Sequence, residues 1–418
     1  MRHFSRINGE LHAEGVALST IADAVGTPAY VYSRATLTRH YRVFADAFSD
    51  VDTLVAYSVK ANSNLAILRV LAKLGAGADV VSAGELARAL AAGIPGERIV
   101  FSGVGKTRAE MRAALEAGIA VFNVESLPEL HALSDVASGM GATARIAFRV
   151  NPDVAAGGHE KITTGTAKNK FGIAWETARD AYRLAATLPG IRVMGVDVHI
   201  GSQIDALAPC EAAIERVGGL IAELRADGHT IESFDLGGGL GIPYGNTDEA
   251  PPLPRDYAEM VKRLTAPLDV ELIFEPGRMI AGNAGVLLAK VLYVKETEDR
   301  DFLILDAAMN DLIRPALYDA WHGLEPVRER EARATYDVVG PVCESGDTFA
   351  KRREMAAVEA GDLVVFHSAG AYGAVQASTY NTRPLVPEVL VDGSRFAVIR
   401  ARPSVEDLLE RESVPDWV

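Results

Sequence analysis

Lys60 is the residue in this chain whose type and position most clearly suggest chemistry. It ends the run Thr53 to Lys60, which is apolar and β-branched enough to be a strand, and a loop leading into a helix follows it. A lysine amine that is desolvated at a strand end loses basicity and can attack carbonyl carbons. The alternative is a structural lysine whose stem packs on apolar surface while its amine reaches water.

Polar or glycine residues also stand at the ends of the other predicted strands. They are Asp79, Ser102, Glu125, Arg149 with Asn151, His199 with Ser202, Gly237-Gly238-Gly239, and Glu275. A purely structural sheet does not need such groups at nearly every strand end. The pattern therefore favours a functional site built from strand ends.

Two glycine-containing segments predict a site for a phosphorylated ligand. The run from Gly237 to Gly241 can wrap an anion with bare backbone amides, although turns also use glycine freely. Glu275-Pro276-Gly277-Arg278 closes the last predicted strand, and the loops after strands seven and eight of a (β/α)8 barrel commonly bind phosphate. Together the two segments favour a phosphate group.

Four residues near these strand ends allow two interpretations each. Glu275 either stabilises a protonated pyridine nitrogen, which makes the ring an electron sink, or forms a buried salt bridge. His199 is either a hydrogen-bonded core residue or lies flat on a cofactor ring, in which case Ser202 donates to the phosphate. Arg149 and Asn151 are either buried structural partners or groups that bond a ring hydroxyl.

The elements that must position these residues alternate between short strands and alanine-rich amphipathic helices. Predicted strands are Thr53 to Lys60, Ala76 to Val81, Arg98 to Ser102, Ala120 to Glu125, Ala144 to Asn151, Arg192 to Ile200, Ser233 to Leu236 and Val270 to Glu275. Predicted helices include Asn64 to Lys73, Ala83 to Ala92, Thr107 to Ala117, Trp175 to Thr187 and Pro209 to Asp227. This alternation predicts an α/β fold, a (β/α)8 TIM-like barrel, with an open doubly wound sheet as the competing arrangement.

The pattern changes after Met279 to strands separated by turns. These are Gly285 to Lys295, Asp301 to Asp306, Ala334 to Gly340, Asp362 to Phe366, Val386 to Val391 and Arg395 to Arg402. We expect a second, all-β domain that is joined by the N-terminal segment through Ala29 to Tyr32. The predicted organisation is residues 1–33 as that segment, 34–280 as the barrel and 281–418 as the β domain.

Composition limits the functional classes. A net charge of -14 argues against nucleic acid or an anionic membrane as a partner. The two cysteines, Cys210 and Cys343, cannot make a disulfide framework, and no CxxC or HExxH metal motif occurs. No apolar run approaches bilayer length and the first residues do not resemble a secretory signal, so we expect a cytoplasmic protein without a metal site.

The same motifs carry a family resemblance. They are Tyr-Ser-Val-Lys60-Ala-Asn, Ala-Asp79-Val-Val-Ser-Ala-Gly-Glu, Asn169-Lys-Phe-Gly, His199-Ile-Gly-Ser-Gln, Gly237-Gly-Gly-Leu-Gly, Glu275-Pro-Gly-Arg, Met309-Asn-Asp-Leu-Ile-Arg314-Pro-Ala-Leu-Tyr318, Gly340-Pro-Val-Cys343-Glu344-Ser-Gly-Asp and Gly370-Ala-Tyr372-Gly. The chain resembles the diaminopimelate decarboxylases, pyridoxal 5'-phosphate enzymes of the alanine-racemase-like barrel class. The last three motifs point to that branch.

The resemblance implies a role for each group around the cofactor. Lys60 would bind the pyridoxal phosphate aldehyde covalently, and Glu275 would contact the pyridine nitrogen. The phosphate would be held by Ser202, Gly237, Gly238, Gly239, Gly277 and Tyr372. Further cofactor contacts would come from Asp79, Arg149, His199 and Arg278. The resemblance also implies a homodimer in which Cys343 and Glu344 reach the neighbouring subunit's site.

The substrate would be meso-2,6-diaminopimelate, which is converted to L-lysine and carbon dioxide in the last step of lysine biosynthesis. Arg278 and Arg314 suit its distal carboxylate because guanidinium groups bind carboxylates in bidentate fashion. Glu344 can take the distal ammonium, and Tyr318 and Tyr372 can add contacts. Cys343 is the candidate proton donor, although a structural thiol is the ordinary interpretation of a cysteine.

Three other functions remain open at this point. A decarboxylase of the same fold for ornithine, arginine or a carboxylated polyamine is the nearest, and it would need an acidic pocket instead of an arginine pair. A racemase is disfavoured by Glu275, because racemisation works better with an unprotonated ring. A non-catalytic pyridoxal phosphate carrier would need neither Arg314 nor Cys343 and Glu344.

Overall fold

A computed structural model describes residues 3–154, 170–245 and 250–418. The chain forms two compact units, one of residues 38–242 and 249–280 and the other of residues 1–37, 243–248 and 281–418. We call the first the barrel unit and the second the β unit. The sequence analysis predicted the boundaries of domains that fold independently. Two compact units do not test independent folding, so these boundaries stay a prediction.

The N-terminal part of the β unit starts with a small sheet. The elements of this N-terminal part are β1 (Phe4–Ile7), β2 (Glu10–Ala13), β3 (Val16–Ala17), α1 (Leu18–Val25) and β4 (Ala29–Ser33). Strands β1, β2 and β3 form an antiparallel sheet of their own. Strand β4 is completely buried, so it belongs to the interior of a larger sheet.

The described residues of the barrel unit form nine strands, and eight of these close into a parallel barrel. They are β5 (Thr53–Ser58), β6 (Gly77–Val80), β7 (Ile99–Phe101), β8 (Val121–Val124), β9 (Ala144–Asn151), β10 (Ile173–Ala174), β11 (Ile191–Asp197), β12 (Ser233–Asp235) and β13 (Glu271–Phe274). The order is β5-β6-β7-β8-β9-β11-β12-β13, and the short β10 pairs in parallel with the last two residues of β9.

Closure comes from pairing between the last strand and the first. Leu272, Ile273 and Phe274 of β13 lie opposite Thr53, Leu54 and Val55 of β5 in parallel register. Most strand residues are buried and apolar on both faces, as is typical of a parallel sheet that is covered on both sides. The predicted barrel is confirmed, and the open doubly wound alternative is wrong.

The strands of the barrel unit alternate with helices. They are α2 (Arg34–Asp46), which starts in the β unit, α3 (Leu65–Ala72), α4 (Ala83–Ala91), α5 (Arg108–Glu116), α6 (Leu127–Gly139), α7 (Ala178–Ala185), α8 (Ala208–Ala226), α9 (Pro254–Thr265) and α10 (Arg278–Ala281). Ser82, Thr107 and Ser126 cap α4, α5 and α6 through their hydroxyl groups. Helices α6 and α9 were not among those predicted from the sequence.

The C-terminal part of the β unit completes a nine-stranded sheet. Its elements are β14 (Gly285–Lys295), β15 (Asp301–Leu305), α11 (Arg314–Tyr318), β16 (Leu324–Pro326), β17 (Arg333–Val339), β18 (Thr348–Ala356), β19 (Leu363–Phe366), β20 (Glu388–Asp392), β21 (Arg395–Arg400) and α12 (Val405–Leu409). The main path is β18-β17-β15-β14-β4-β20-β21, with β19 on β14 and β16 on β19.

The N-terminal segment is part of this sheet, as predicted. Strand β4 lies between β14, where Val31 opposes Val286, and β20, where Val31 opposes Val389. Val31, Val286 and Val389 also share one buried apolar cluster with Ile21 of α1. The second domain is therefore confirmed as mostly β, although it also contains the helices α1, α11 and α12. Strand β18, whose centre reads Lys-Arg-Arg-Glu, was not predicted because its exposed face is highly charged.

In the part of the chain that the structure describes, no helix combines the length and apolar character that crossing a bilayer requires.

An aromatic cluster anchors the closing strand of the barrel. The Phe274 ring lies 4.3 Å from Phe48, 5.5 Å from Phe44 and 6.1 Å from Tyr257, measured between ring centroids. Helices α2 and α9 are thereby packed on β13, immediately before Glu275. Such rings contribute stability both through burial and through their mutual orientation.

Replacing Phe274 with Ala should lower the free energy of unfolding by about 3–5 kcal/mol, because it leaves a cavity among three aromatic rings. Urea unfolding followed by circular dichroism measures the change. The control is Tyr293→Ala, since Tyr293 is 66% exposed and its loss should change stability by no more than about 0.5 kcal/mol. Equal effects of the two substitutions would contradict this account of the closing strand.

Candidate active site

Lys60 lies at the C-terminal end of the barrel, where the structure holds its amine against a buried carboxylate. Its Nζ is 2.8 Å from Asp79 Oδ2, and the Ser58 hydroxyl donates to the same oxygen at 2.7 Å. The predicted strand is two residues too long: β5 ends at Ser58, whose N–H pairs with Pro276 O, and Lys60 lies in the 3-10 turn Val59–Ala61. This turn directs the side chain toward Asp79.

The two partners differ in burial. The Lys60 side chain is 39% exposed, whereas Asp79 is fully buried. The Lys60 amine, which we expected to be desolvated, is therefore only partly shielded from water. Lys106 is different, because its amine is almost fully buried and bonds Glu129 Oε1 and the carbonyl groups of Gly103 and Asn123 at 2.7–2.8 Å. Lys106 therefore has a structural role, whereas the amine of Lys60 remains accessible to a ligand.

Glu275, directly after β13, is held by neutral hydrogen-bond donors. Its Oε1 accepts from Ser102 Oγ at 3.0 Å and from Asn123 Nδ2 at 3.3 Å. The Asn123 amide also donates to Asp235 Oδ2 at 3.0 Å. One amide therefore joins two buried carboxyl groups from β12 and the end of β13.

Burial dominates the protonation of these carboxyl groups. It raises the pKa of Glu275 well above its usual range, and Asp235 and Asp79 raise it further, while the positive charges of Lys60 and Arg149 lower it. Burial likewise raises the pKa of Asp235, and the nearby Asp197 adds to this effect. The interior therefore favours protonated acids until a cation is brought close to them.

His199 is a neutral acceptor in this site. The Gly238 N–H donates to its Nδ1 at 3.1 Å, so that nitrogen carries no proton. Burial lowers the pKa of His199 well below its usual range, and Arg149 and Lys60 lower it further. The ring is thus fixed on the glycine run that follows β12.

Arg149 and Asn151 both have structural partners. Arg149 Nη1 lies 3.4 Å from Glu125 Oε1, and its guanidinium carbon is 4.8 Å from the centre of the Phe171 ring. Asn151 Oδ1 accepts from the Asp153 N–H at 3.0 Å. These contacts favour the structural interpretation without testing contacts to a ligand. Asn169 of the motif before Phe171 lies outside the described residues.

The two glycine segments are packed so closely that side chains are excluded. A Cβ on Gly238 would lie 2.2 Å from Glu275 O, and a Cβ on Gly277 would lie 2.9 Å from Ala61 Cβ. The second contact joins the loop after β13 to the turn that carries Lys60. A small cavity is lined by both segments, including Gly237, Gly238, Gly239, Gly277 and Arg278. Backbone amides can approach an anion at such a place.

The loop that contains Ser202 is joined to the glycine run. The Ile204 N–H donates to Gly239 O at 2.8 Å, and the Gly241 N–H donates back to Ile204 O at 3.1 Å. Ser202 is half-buried in this loop. Its predicted place beside the glycine run therefore agrees with the backbone geometry, while its contact with a phosphate stays a prediction.

The remaining candidates belong to the β unit, and the structure describes them within it. Arg314 begins α11 and is buried, and Tyr318 ends that helix. Cys343 and Glu344 are exposed in a loop, and the Glu344 carboxylate accepts a hydrogen bond from Tyr380 and so raises the pKa of that phenol. Tyr372 has a left-handed φ of 57°, a strained conformation for a residue with a side chain.

Sequence reasoning missed several polar residues of the barrel interior, namely Asn123, Asp197 and Asp235. All three are buried, with exposures of 0%, 2% and 1%. A signal existed, because each interrupts or ends an apolar strand, as in Val-Phe-Asn-Val. Their grouping depends on which strands become neighbours across the barrel, and this cannot be read from one strand.

The residues present fit pyridoxal phosphate. Among the described residues, no hydrogen-bond donor reaches the buried Asp79 Oδ1, so this site has an acceptor that a ligand or a proton can satisfy. A partly exposed amine, a buried carboxyl group and a cavity lined in part by glycines and by Arg278 come together at one end of the barrel. These are the groups needed for an aldehyde, a pyridine nitrogen and a phosphate.

Comparison with known proteins identifies the family. Residues 34–282 match the family model described as "Pyridoxal-dependent decarboxylase, pyridoxal binding domain". The chain is 53% identical to the diaminopimelate decarboxylase of Zymomonas mobilis and 54% identical to that of Pseudomonas fluorescens, with 99% of each protein covered. A crystal structure of the M. jannaschii diaminopimelate decarboxylase in complex with L-lysine superposes with a TM-score of 0.94 at 38% identity, covering 99% of each chain. The chain therefore belongs to the diaminopimelate decarboxylase family of pyridoxal-dependent decarboxylases.

Proposed function

We propose that this chain uses pyridoxal 5'-phosphate, held covalently on Lys60, to convert meso-2,6-diaminopimelate to L-lysine and carbon dioxide. The observation that carries the proposal is the meeting of the Lys60 amine, the buried Glu275 carboxyl group and the glycine-lined cavity at one end of the barrel. The named relatives and the L-lysine found in the M. jannaschii structure support the choice of substrate.

When bound, pyridoxal phosphate supplies an electron sink for the electron pair left when the carbon–carboxylate bond breaks. Lys60 provides the amine for attachment to the aldehyde. Asp79 Oδ2 accepts from that amine at 2.8 Å, so it can take the proton that the amine must lose before it attacks a carbonyl. Asp79 thus acts as both an anchor and a proton acceptor.

Glu275 holds a proton where the pyridine nitrogen is expected. Burial raises the pKa of Glu275, so its carboxyl group binds a proton more tightly than an exposed one and could donate that proton to the nitrogen. Ser102 and Asn123 fix its orientation through hydrogen bonds to Oε1. After that transfer the carboxylate of Glu275, fixed in this way, would accept a hydrogen bond from the protonated nitrogen and so favour the protonated ring.

His199 excludes water from one face of the ring. The imidazole is neutral, is anchored through Nδ1 to the Gly238 N–H, and presents a flat surface beside the glycine run. A neutral ring adds no positive charge that would compete with the protonated pyridine. Arg149 remains a second cofactor contact in this proposal, through the ring hydroxyl.

The phosphate is bound by backbone amides and hydroxyl groups. Gly237, Gly238, Gly239 and Gly277 would line the phosphate site, since no side chain can occupy their Cβ positions without collision. The N–H groups of Gly237 and Gly238 already donate to Asp235 Oδ1 and His199 Nδ1, so the proposal assigns the backbone contacts to Gly239 and Gly277. Ser202 adds its hydroxyl from the adjoining loop. The proposal assigns Tyr372 to the same phosphate, and the strained φ of that tyrosine is a cost that binding can explain.

The distal end of the substrate needs a cationic site. Arg278 and Arg314 can each offer a guanidinium fork to a carboxylate, and Tyr318 can add a hydroxyl contact. The buried location of Arg314 makes its charge costly without an anionic ligand. Ornithine has an ammonium group at that end, so it would leave this charge without an anion and add repulsion.

Cys343 and Glu344 serve the site of a second subunit in this proposal. Both are exposed in the single chain, as residues that act on a neighbour must be before assembly. Hydrogen bonds connect their loop to the rest of the β unit, because Asp347 accepts from the N–H groups of Met309 and Val342 at 2.6 and 2.7 Å. From this loop Cys343 can return a proton to the reacting carbon, and Glu344 can bind the distal ammonium.

The experiment that tests the function compares meso-diaminopimelate with ornithine. Purified protein with pyridoxal phosphate should release lysine and carbon dioxide from meso-diaminopimelate, and should process ornithine at least about 100-fold more slowly in terms of kcat/KM. Chromatography of the amine products measures both reactions. Faster release of putrescine from ornithine would identify the related decarboxylase activity instead. Isomerised substrate without lysine would identify a racemase, and cofactor binding without any product would identify a carrier.

Replacing Glu275 with Gln should lower kcat by about 100-fold or more while the cofactor still binds, because an amide cannot keep the ring nitrogen protonated. The measurements are steady-state turnover and cofactor content by visible absorbance. The matched control is Glu271→Gln at the other end of the same strand, which should leave kcat within a few-fold. Full activity in Glu275→Gln would remove this residue from the mechanism.

Two inactive variants should restore activity when their subunits are mixed. Lys60→Ala lacks the attachment amine and Glu344→Gln lacks the carboxylate offered to the partner, so a mixed dimer contains one complete site. Random exchange of subunits should regain about a quarter of the sites of the unmodified dimer. Activity before and after denaturation and joint refolding provides the measurement, and no recovery would contradict a shared site.

A further inference from the structure

The guanidinium group of Arg314 is fixed by two neighbours within the β unit. Its Nη1 lies 2.8 Å from Nε2 of His322, and its guanidinium carbon lies 4.9 Å from the centre of the Tyr244 ring. The Tyr244 ring meets His322 edge-on at 5.5 Å between ring centres. Arg314 and His322 are 7% and 3% exposed, so this contact is buried and poorly screened by water.

These partners determine the protonation of His322. Arginine nitrogens only donate, so Nε2 must accept from Arg314. The Nδ1 atom lies 2.8 Å from His367 O, and a carbonyl oxygen only accepts, so the ring proton is on Nδ1. The imidazole is therefore neutral and joins a backbone carbonyl to the guanidinium group.

His322 is itself held on both sides. Its own carbonyl oxygen accepts from Arg353 Nη1 at 2.9 Å. His367, whose backbone oxygen fixes the imidazole, is bonded through its ring to Glu325 at 2.5 Å, and Glu325 pairs with Arg6 of β1 at 2.6 Å. The backbone carbonyl group that binds His322 therefore belongs to a segment that is connected to strand β1 through Glu325 and Arg6.

A neutral partner has a particular consequence for Arg314. A carboxylate in the place of His322 would also orient the guanidinium group, but it would cancel its charge. Imidazole accepts from one donor of the guanidinium group and brings no negative charge of its own. Tyr244 likewise contacts the face of the group with an aromatic ring and removes no charge.

We propose that His322 is a positioning residue for substrate specificity, which holds Arg314 in the orientation needed to bind the distal carboxylate of the substrate. The inference rests on the proposed function, in which Arg314 binds that carboxylate. His322 touches neither substrate nor cofactor in this account and acts only through Arg314. The substrate class that it selects is diamino acids with a second carboxylate.

The test compares His322→Leu with His322→Gln. Leucine removes the acceptor, so KM for meso-diaminopimelate should rise by about 10- to 100-fold with a smaller change in kcat. The glutamine Oε1 can replace Nε2 as acceptor, so His322→Gln should keep KM within a few-fold of the unmodified protein. Urea unfolding of both variants shows whether the fold is retained.

A double-mutant cycle separates positioning from a general structural role. In an Arg314→Lys background the fork is already lost, so His322→Leu should have little further effect on KM. The same rise in KM in both backgrounds would overturn the inference, as would an unchanged KM in His322→Leu. If His322→Leu does not fold, failure of His322→Gln to preserve KM decides against it.

The activity of the unmodified protein separates failure of the His322 positioning role from failure of the proposed function. Lysine formation by that protein together with an unaffected His322→Leu variant would overturn only the positioning role. No lysine formation by the unmodified protein would overturn the proposed function, and the role of His322 with it.

Discussion

The burial of carboxyl groups inside a closed barrel is the constraint on which the rest of this structure depends. Glu275, Asp79 and Asp235 lie where water cannot stabilise their charges. Asp79 and Asp235 raise the pKa of Glu275, and burial raises the pKa of both Glu275 and Asp235. Such groups are tolerated when donors fix them and a cation can approach. Asn123 and Ser102 provide the donors, and Lys60 provides a cation at the rim. A ligand with a basic ring nitrogen and an aldehyde completes this arrangement.

Much of this arrangement was predictable from the sequence, because parallel strands bring their C-terminal ends together. Lys60, Asp79, His199 and Glu275 were identified from polar residues that follow apolar runs, and the structure places them at one end of the barrel. The barrel and the sheet formed with β4 were also predicted. The exact end of β5 was not, because the N–H of Ser58 bonds to Pro276 O, which lies more than two hundred residues further along the chain.

The residues that sequence reasoning missed are those whose roles come from long-range neighbours. Asn123 and Asp235 are ordinary polar residues within their own strands, and they become important only because barrel closure places β8 opposite β12 and β13. His322 gave no signal in the sequence, because Tyr244 and His367, two of its contacts, are far from it along the chain, and its contact with Arg314 depends on how the chain folds. The homodimer with a shared site, the domain boundaries and a cytoplasmic location stay predictions, because a single chain tests none of them.

The most direct test of the central claim is to locate the amine that carries the cofactor. Protein loaded with pyridoxal phosphate is reduced with borohydride and digested, and the phosphopyridoxyl-labelled peptide is identified by mass spectrometry. The account predicts a label on Lys60, because its amine is accessible at the rim and lies beside Asp79. A label on Lys106 or on any other lysine, or the absence of a label in cofactor-saturated protein, would contradict it.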